Sequence, residues 1–444
     1  MEFAGQNVLV LGLGMSGRSA ARFCAARGAK VVAVDERPRE AIADFDEMPD
    51  EIDCRFGAPF PDLEPYDLVV PSPGIPAARW AGRARRVWGD IELCYRALPI
   101  PIVAVTGTNG KSTVVRLIEA LARATGMRAR AAGNVGIPAL DLVGQPLDLA
   151  ILEVSSFQLE SVEQFRPRTA LLLNLTPDHL DRHRDVDGYL AAKARIFARQ
   201  QATDHAILNG DDPRVRELNL PEGVERLEFR QRDPVATGAW FEGRHAIVQR
   251  GGSRQVVDLG GISPHLAHQQ ENVLAALLAV ATLDLDLAAA SHALMDFEGL
   301  PHRCERVCEI HGVEYIDDSK ATNVAAAARS LAAIDAPVLW IAGGRHKGGD
   351  FGELISAAGG RIRRALLIGE AAEIFERALE AEIACERVGD LAHAVARAAA
   401  IAHPGDVVLL APACSSFDQF ESFEDRGRQF QAAVRALETG RTAR

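Results

Sequence analysis

The segment VTGTNGKST, residues 105–113, decides the fold class of this sequence. It follows the apolar stretch 102–105, which is typical of a buried strand, and a helix-forming run begins near Lys111. A glycine-rich loop between a strand and a helix is typical of phosphate-binding P-loops, which place four residues between the first glycine and the Gly-Lys pair. Only two residues separate Gly107 from Gly110 here. The segment therefore predicts a P-loop of an unusual subtype.

The residue types of this loop suit a nucleoside triphosphate. The glycines and Asn109 can form a concave nest of backbone N–H groups, and Lys111 adds a point charge for the β and γ phosphates. Ser112 or Thr113 can ligate Mg²⁺. A purely structural turn is the alternative, although a Gly-Lys-Ser-Thr run after a buried strand has little other use. The predicted phosphate-binding residues of this loop are Gly107, Thr108, Asn109, Gly110, Lys111, Ser112 and Thr113.

The composition is that of an ordinary globular protein. The chain has 444 residues, 48% of them hydrophobic and 25% charged, which is enough for two to four domains. Its formal net charge of −12 argues against a general nucleic-acid surface, since phosphate backbones are bound by clustered Lys and Arg. No long uncharged apolar run or signal peptide is present, so we expect no membrane insertion. Seven scattered cysteines without CxxC pairs predict reduced thiols and a cytoplasmic protein. The spacing of Cys304 and Cys308 fits one helical turn, but incidental thiols are favoured over a metal site.

Apolar strand-like runs alternate with alanine-rich helical stretches along the whole chain, which predicts α/β layers with mainly parallel sheets. The region at about 220–260 is rich in Gly and Arg and predicts hairpins rather than helices. Three domains are expected, at residues 1–94, 95–298 and 299–444.

The segment GLGMSG, residues 12–17, follows a strand and opens a helix, and Asp35 ends the next strand. This fits a dinucleotide fingerprint, in which glycines let the backbone approach a diphosphate at a helix N-terminus. The motif is weak by itself. NAD(H), another diphosphate-bearing ligand and a structural turn all remain open, with the second of these favoured.

Polar residues follow two strands of the central domain. Glu153 ends an apolar strand, where a carboxylate needs a partner, and Mg²⁺ held together with Ser112 is the favoured one over a buried salt bridge. The next strand delivers Asp178, His179 and Asp181 into its loop. A histidine among carboxylates indicates a metal ligand or a proton-transfer group, with solvated loop polarity as the alternative.

Lys193 falls on an apolar helix face, which it shares with Tyr189, Leu190, Ile196 and Phe197. Either its stem passes the core and its ammonium reaches water, or burial depresses its pKa and leaves a reactive neutral amine. The pattern alone does not choose between these interpretations.

The C-terminal part contains several cations and hydroxyls at strand-to-loop transitions, which together suit a carboxylate-rich small molecule. Asn272 opens a helix, and Arg303 follows a Pro-His pair. The other candidates are Asp318, Ser319, Lys320, Thr322, Lys347 and Ser416.

The chain resembles the Mur ligase family over essentially its whole length. The resemblance rests on motifs that are jointly specific and occur in family order: TGTNGKST, AGNVGIP, LEVSSFQLE, LTPDHLDRH, AAKARIF, GLPHRCE, DDSKATN and APACSSFDQFESFEDRG. It implies a Rossmann-like UDP-binding domain, a central P-loop ATPase-like domain and a Rossmann-like C-terminal domain. It also implies a cytoplasmic, monomeric, ATP-dependent amide ligase of peptidoglycan synthesis. Such an enzyme would add glutamate, expected to be the D-enantiomer, to UDP-N-acetylmuramoyl-L-alanine through an acyl phosphate.

The resemblance also implies roles for individual residues. Lys111, Ser112 and Glu153 would hold ATP and one Mg²⁺, while His179 and a carbamylated Lys193 would hold a second. Adenine and ribose would meet Asn272, Arg303 and Asp318. Glutamate would be surrounded by Lys320, Thr322, Lys347, Ser416 and Phe423. The UDP substrate would contact Gly14, Met15, Ser16, Arg37, Ser72, Pro73, Gly74 and Asn134.

Two positions depart from the family pattern. His268-Gln269 stands where the family often has His-Asn, and Glu36 stands where a small hydroxyl residue can meet uracil. Three other functions remain to be distinguished: a folylpolyglutamate synthase, a nicotinamide oxidoreductase and a non-catalytic nucleotide-binding regulator. The separate GLGMSG domain argues against the first of these.

Overall fold

The computed structural model describes residues 1–42, 45, 48–134, 136–263, 266 and 269–438. The chain divides into two compact units. One comprises Met1–Leu175, Asp181–Ser263 and Gln269–Phe297, and the other comprises Thr176–Leu180, Pro264–His268 and Glu298–Arg444. Most of both predicted N-terminal domains thus falls in the first unit, and the expected boundary after residue 94 stays a prediction.

The first sheet is four-stranded and parallel, with strand order β3-β2-β1-β4. Its first strand carries the apolar run that packs against the helix following the GLGMSG turn. The strands are β1 Asn7–Leu11, β2 Lys30–Asp35, β3 Ile52–Phe56 and β4 Leu68–Pro71, and the helices are α1 Met15–Ala25 and α2 Asp90–Ala97.

The second sheet has nine strands in the order β13-β12-β11-β10-β9-β8-β5-β7-β6. It is parallel as far as the β10–β11 pair, and its last strands form antiparallel hairpins. The strands are β5 Ile102–Thr106, β6 Ala129–Gly133, β7 Leu149–Glu153, β8 Thr169–Leu172, β9 His205–Asn209, β10 Glu225–Phe229, β11 Gly238–Glu242, β12 His245–Arg250 and β13 Ser253–Asp258. The helices are α3 Lys111–Ala124, α4 Ser156–Leu159, α5 Leu180–His183, α6 Val186–Ala194, α7 Pro213–Arg216, α8 Gln270–Ala281 and α9 Leu287–Ser291.

The hairpins predicted between about 220 and 260 are confirmed. Gly251 and Gly252 join β12 to β13 with φ angles of 57° and 80°. Two consecutive residues with positive φ form the turn whose twist matches that of the flanking strands. The glycines therefore set the hairpin at this position.

The third sheet has six strands in the order β14-β15-β19-β16-β17-β18, and only β14 and β15 pair antiparallel. Its strands are β14 Glu305–Ile310, β15 Val313–Asp317, β16 Val338–Gly343, β17 Ile362–Ile368, β18 Cys385–Gly389 and β19 Val407–Leu410. Its helices are α10 Val324–Ala332, α11 Phe351–Ala358, α12 Ala372–Leu379, α13 Leu391–Ile401 and α14 Phe423–Glu438. Cys308 lies on β14. The helical-turn spacing considered for Cys304 and Cys308 is therefore wrong, and the structure gives no helical thiol pair.

Within the described ranges, no helix combines the length and the apolar character needed to cross a membrane.

Candidate functional site

The P-loop turns between β5 and α3 with two glycines in the positive-φ region. Gly107 has a φ of 152° and Gly110 a φ of 87°. A Cβ on Gly110 would lie 2.5 Å from Oδ1 of Asn272, and a Cβ on Gly107 would lie 3.0 Å from Cβ of Leu173. Glycine is therefore required by conformation and by space. The same approach places Asn272, a predicted nucleotide contact, directly against the loop.

Asn174, which the sequence reasoning missed, holds this loop in place. Its Oδ1 accepts from the N–H of Asn109 at 2.9 Å, and its Nδ2 donates to the Asn109 carbonyl at 3.0 Å. Its own carbonyl accepts from the N–H of Thr108 at 3.0 Å. The Asn109 N–H is thus bonded to Asn174 in this structure, and its use in the phosphate nest stays a prediction. A polar residue directly after an apolar strand was the available signal.

Two lysine side chains converge on one carbonyl oxygen of the loop. Nζ of Lys111 donates to the carbonyls of Gly107 and Thr108, both at 2.9 Å. Nζ of Lys193 donates to the Gly107 carbonyl at 2.8 Å. Both lysine side chains therefore direct their Nζ atoms at the Gly107 carbonyl.

The interpretation that Lys193 reaches water is wrong. Its side chain is only 1% exposed, and Nζ lies 4.4 Å from the ring centroid of Tyr189. Tyr189, Ile196 and Phe197 are buried around it, whereas Leu190 is half-buried. The apolar helix face thus carries the lysine into the core instead of past it.

Buried oxygen atoms without partners lie on the strands and helix that flank the loop. Glu153 is 1% exposed, and its Oε1 accepts from Nδ2 of Asn134 at 2.8 Å. Among the described residues, its Oε2 has no hydrogen-bond partner, nor does Oγ1 of Thr106 or of Thr113. Ser112 is 4% exposed. Mg²⁺ prefers oxygen ligands and carboxylates, so these residues fit the predicted metal.

The GLGMSG turn leaves open space where a ligand could approach. A Cβ on Gly17 would lie 1.9 Å from the Gly12 carbonyl, so this glycine allows α1 to pack on the turn. Nothing lies within 4 Å of a Cβ built on Gly14 or on Gly74. Oγ of Ser72 donates to the Gly12 carbonyl at 2.9 Å and joins the two loops. The predicted UDP contacts Met15 and Ser16 begin the adjoining helix, and Pro73 precedes Gly74.

The carboxylate of Asp35 is engaged by protein groups. It accepts from the N–H of Leu13 at 2.8 Å and forms two side-chain hydrogen bonds with Arg37, at 3.0 and 2.9 Å. Burial acts to raise the pKa of Asp35, but the bonds from Arg37 and Leu13 outweigh it and hold the pKa below its usual value. Because this residue would bind the ribose of NAD, its engagement argues against the nicotinamide alternative. Glu36 pairs instead with Arg79, at 2.7 Å between Oε1 and Nη2.

Arg182 is a second residue that the sequence reasoning missed. Its guanidinium donates to the carbonyls of Gly74 and Ile75, at 3.3 and 3.1 Å, and pairs with Glu160 at 2.6 Å. It thus joins the loop at residues 72–74, which follows β4 of the first sheet, to the segment after α4. The surrounding motif LTPDHLDRH predicted roles only for Asp178, His179 and Asp181.

In the second unit, Arg303 and Asp318, both predicted nucleotide contacts, lie close enough for the charge of Arg303 to act on the Asp318 carboxyl. Asp318 is 4% exposed, accepts from the N–H of Cys304 at 3.3 Å and bonds Oγ of Ser330. Burial raises the pKa of Asp318. Nε of Arg303 is buried and has no partner among the described residues. Asn272 belongs to the first unit, so the predicted adenine contacts are divided between the two units.

The predicted glutamate residues follow the carboxyl ends of three neighbouring strands, β15, β16 and β19. Nζ of Lys320 lies 3.7 Å from the ring centroid of Phe423, and Ser416 is 2% exposed. Nζ of Lys347 lies 3.8 Å from Oδ1 of Asp178. The N–H of Thr322 donates to the Lys320 carbonyl at 2.8 Å. The edge of the sheet thus gathers cations and hydroxyls where open α/β sheets bind ligands.

His179 has a φ of 54° and lies beside Asp178, with 3.8 Å between Nε2 and Oδ2. Asp178 is buried, which acts to raise its pKa, but Lys347 and His179 outweigh this and lower it. The side chain of Asp181 and the whole of His268 lie outside the described residues. Gln269 is described, and its Oε1 accepts from Nδ2 of Asn272 at 3.1 Å.

A partly buried polar network formed by His302, Glu305, Asp317 and Gln431 was not predicted. Nδ1 of His302 lies 2.7 Å from Oδ2 of Asp317, and this bond is the main reason that the pKa of His302 is raised. The carboxylates could geometrically hold an ion together with the histidine. Nε2 of Gln431, however, donates to Glu305 at 3.0 Å and to Asp317 at 2.9 Å. An amide N–H directed between them makes a hydrogen-bonded network the better description.

Three family models match the chain in sequence order. They are the N-terminal domain of MurD-like Mur ligases at residues 6–84, the Mur ligase middle domain at 105–280 and the Mur ligase glutamate ligase domain at 302–414. A UDP-N-acetylmuramoylalanine–D-glutamate ligase of Geobacter metallireducens is 40% identical over 452 residues and covers 99% of both chains. The chain belongs to the Mur ligase family. A second such ligase, from Anaeromyxobacter dehalogenans, is 42% identical and covers 97% of both chains.

Solved Mur ligase structures share the fold. The MurF ligase of Thermotoga maritima in complex with ADP aligns with a TM-score of 0.59 at 18% identity, covering 98% of this chain and 96% of its own. The predicted three-domain α/β fold class is confirmed. The match at residues 6–84 supplies the separate N-terminal domain that argued against a folylpolyglutamate synthase.

Proposed function

We propose that this Mur ligase joins D-glutamate to UDP-N-acetylmuramoyl-L-alanine in an ATP-dependent reaction of peptidoglycan synthesis. The full-length likeness to D-glutamate ligases is the observation that carries the proposal. The P-loop and the cation-lined edge of the third sheet supply the chemistry of a ligase, whereas the engaged Asp35 does not suit a nicotinamide enzyme.

The first step would transfer the γ-phosphoryl group of ATP to the alanine carboxylate and release ADP. Both reactants are anions, so the site must offset their repulsion and stabilise the charge in transfer. Lys111 would take this role, and the bonds of its ammonium to the loop carbonyls support the assignment. ATP would release it from those carbonyls by offering phosphate oxygens in their place. The resulting acyl phosphate is an activated carboxyl group.

In the second step, the amine of glutamate would attack the acyl carbon, and phosphate would leave. Lys320, Lys347 and Ser416 would hold the two carboxylates of glutamate, with Thr322 and Phe423 completing the pocket. The attacking amine must lose a proton, and His179 beside Asp178 is a candidate acceptor. Fixing the amine near the acyl carbon makes the attack effectively intramolecular.

Glu153 and Ser112 would hold one Mg²⁺, and His179 with carbamylated Lys193 a second. Bound Mg²⁺ would supply positive charge for the phosphate oxygens. Carbamylation would form an N–C bond between the neutral Lys193 amine and CO₂ with loss of a proton, which gives an anionic oxygen ligand. The burial of the Lys193 side chain and the likeness to the family support this modification.

The UDP portion would lie over the first sheet. The open space at Gly14 and Gly74 suits the approach of a diphosphate to the backbone. Arg37 and the remaining predicted contacts, including Asn134, would complete this site. We also propose, from the sequence, a monomer that works in the cytoplasm.

A phosphate-release assay tests the proposed function. Purified protein receives ATP, Mg²⁺, UDP-N-acetylmuramoyl-L-alanine and either D- or L-glutamate, and the product is identified by mass spectrometry. We expect phosphate release and a new amide with D-glutamate. ATP binding without phosphate release or amide formation would instead favour the nucleotide-binding regulator.

A further inference from the structure

Arg426, on the first turn of α14, has a completely buried side chain. Its relative exposure is 0%, and burial lowers its pKa to about 10, so it stays a cation at neutral pH. In the part of the chain that the structure describes, no carboxylate lies within salt-bridge distance of it. A buried guanidinium without an ion-pair partner is costly and needs hydrogen bonds in compensation.

The guanidinium bonds two loops that carry predicted glutamate contacts. Its Nε donates to Oγ of Ser319 at 2.9 Å, and its Nη2 donates to the Ser319 carbonyl at 2.9 Å. The same Nη2 donates to the Cys414 carbonyl at 3.1 Å. Ser319 directly precedes Lys320, and Cys414 lies two residues before Ser416. One side chain therefore fixes the backbone on both sides of the predicted pocket.

Two further contacts extend this arrangement. Oγ of Ser319 donates in turn to the Phe423 carbonyl at 2.8 Å, which ties the start of α14 to the same cluster. Nη1 of Arg426 lies beside Gly344, since a Cβ added to this glycine would be 3.3 Å from it. Gly344 is at the beginning of the loop that carries Lys347. That loop is joined to the loop that carries Cys414 and Ser416 by two backbone hydrogen bonds between Arg345 and Ser415, at 2.9 and 3.0 Å.

We propose that Arg426 is a positioning residue for glutamate, which sets the spacing of Lys320, Ser416 and Phe423 from beneath the pocket. The inference rests on the proposed function, because it concerns the same substrate. Arg426 is buried under the loops and acts through them. Its loss would let the loops separate and would weaken glutamate binding selectively, while the P-loop and the first sheet belong to another compact unit.

The test is steady-state kinetics of R426K and R426M, with each of the three substrates varied in turn. For R426M, we expect the KM for glutamate to rise about tenfold to a hundredfold, as the loss of one or two charge-assisted hydrogen bonds implies. The KM values for ATP and for the UDP substrate should change less than about twofold. R426K keeps the charge and can bond a carbonyl, so it should recover part of the loss.

R361M is the matched control. Arg361 is half-buried in the same unit, and its Nη2 likewise donates to two carbonyls, of Leu331 at 3.3 Å and of Ala357 at 2.8 Å. Through these contacts, Arg361 bonds none of the loops that carry Lys320, Lys347 and Ser416. R361M should lower the thermal unfolding temperature without changing the KM for glutamate.

S319A covers the case in which R426M does not fold. This change removes the hydroxyl between Arg426 and Phe423 but leaves the arginine in place, so a smaller rise in the KM for glutamate is expected. A folded R426M or S319A with the wild-type KM for glutamate, or with equal rises for all three substrates, would overturn the inference. Wild-type protein that forms no amide would overturn the proposed function itself.

Discussion

The carbonyl oxygen of Gly107 accepts hydrogen bonds from two lysine side chains. Lys111 and Lys193 both direct their Nζ atoms at it. Lys111 reaches it from the start of α3 and Lys193 from α6, within one compact unit. The side chain of Lys193 is almost fully buried. The proposed carbamylation would replace its ammonium with an anionic group beside this carbonyl.

The substitution K193A tests this idea. We expect its activity to fall by about a hundredfold or more, since the proposed metal ligand is lost. Short carboxylic acids such as formate and acetate should restore part of the activity, because they return an anionic oxygen to the cavity. K111A is the control and should stay inactive in these acids. Full activity in K193A without added acid would contradict the carbamate.

The His302–Asp317 pair predicts a pH dependence of stability. Since the folded pKa of His302 is raised by Asp317, its contribution is fully present below about pH 6.5 and is lost as the pH rises through the folded value. The free energy of unfolding of wild-type protein should therefore exceed that of H302Q by more at pH 6 than at pH 8. Denaturant titrations at the two pH values measure this difference. A gap that grows with pH would show that the sign is wrong.

At the scale of elements, the P-loop is a short connection held by a neighbouring strand. Asn174 follows β8 and bonds both backbone groups of Asn109. The loop has two residues fewer than the usual P-loop. The hydrogen bonds of Asn174 to Asn109, called the clamp below, help to hold its conformation.

If the clamp shapes the loop, N174A should reduce both stability and nucleotide binding, whereas its control should reduce stability alone. We expect N174A to lower the free energy of unfolding by about 1–3 kcal/mol and to raise the KM for ATP about tenfold. N209A is the matched control, because Asn209 is buried on the next strand and donates to the Leu173 carbonyl without bonding the loop. It should lose stability only. An unchanged KM for ATP in folded N174A would contradict the role of Asn174 in shaping the loop for nucleotide binding.

The sequence predicted elements and strand ends well, because these depend on local patterns. The apolar run before Gly107, the strand ending at Glu153 and the hairpins after residue 220 all follow from period and turn residues. It missed Asn174, Arg182 and Arg426, whose roles depend on bonds between residues far apart in the chain. The burial of Lys193 was undecidable for the same reason, since a helix face shows what is adjacent and not what covers it.

At the scale of the whole molecule, two compact units divide the predicted site. The first contains the P-loop, the open GLGMSG turn and Asn272, and the second contains Arg303, Asp318 and the glutamate loops. Because the predicted ATP and glutamate residues belong to different units, we expect ligand binding to change the scattering profile of the protein. Small-angle scattering of the protein alone and with ATP and the UDP substrate measures this, and superimposable profiles would count against the expectation.

The central claim is that the alanine carboxylate is activated by phosphoryl transfer before glutamate is joined to it. The most direct test uses UDP-N-acetylmuramoyl-L-alanine with isotopically labelled carboxylate oxygens, together with ATP, Mg²⁺ and D-glutamate. The account predicts that a labelled oxygen appears in the released phosphate, because the acyl phosphate carries the carboxylate oxygen away with it. Amide formation with unlabelled phosphate would contradict the account.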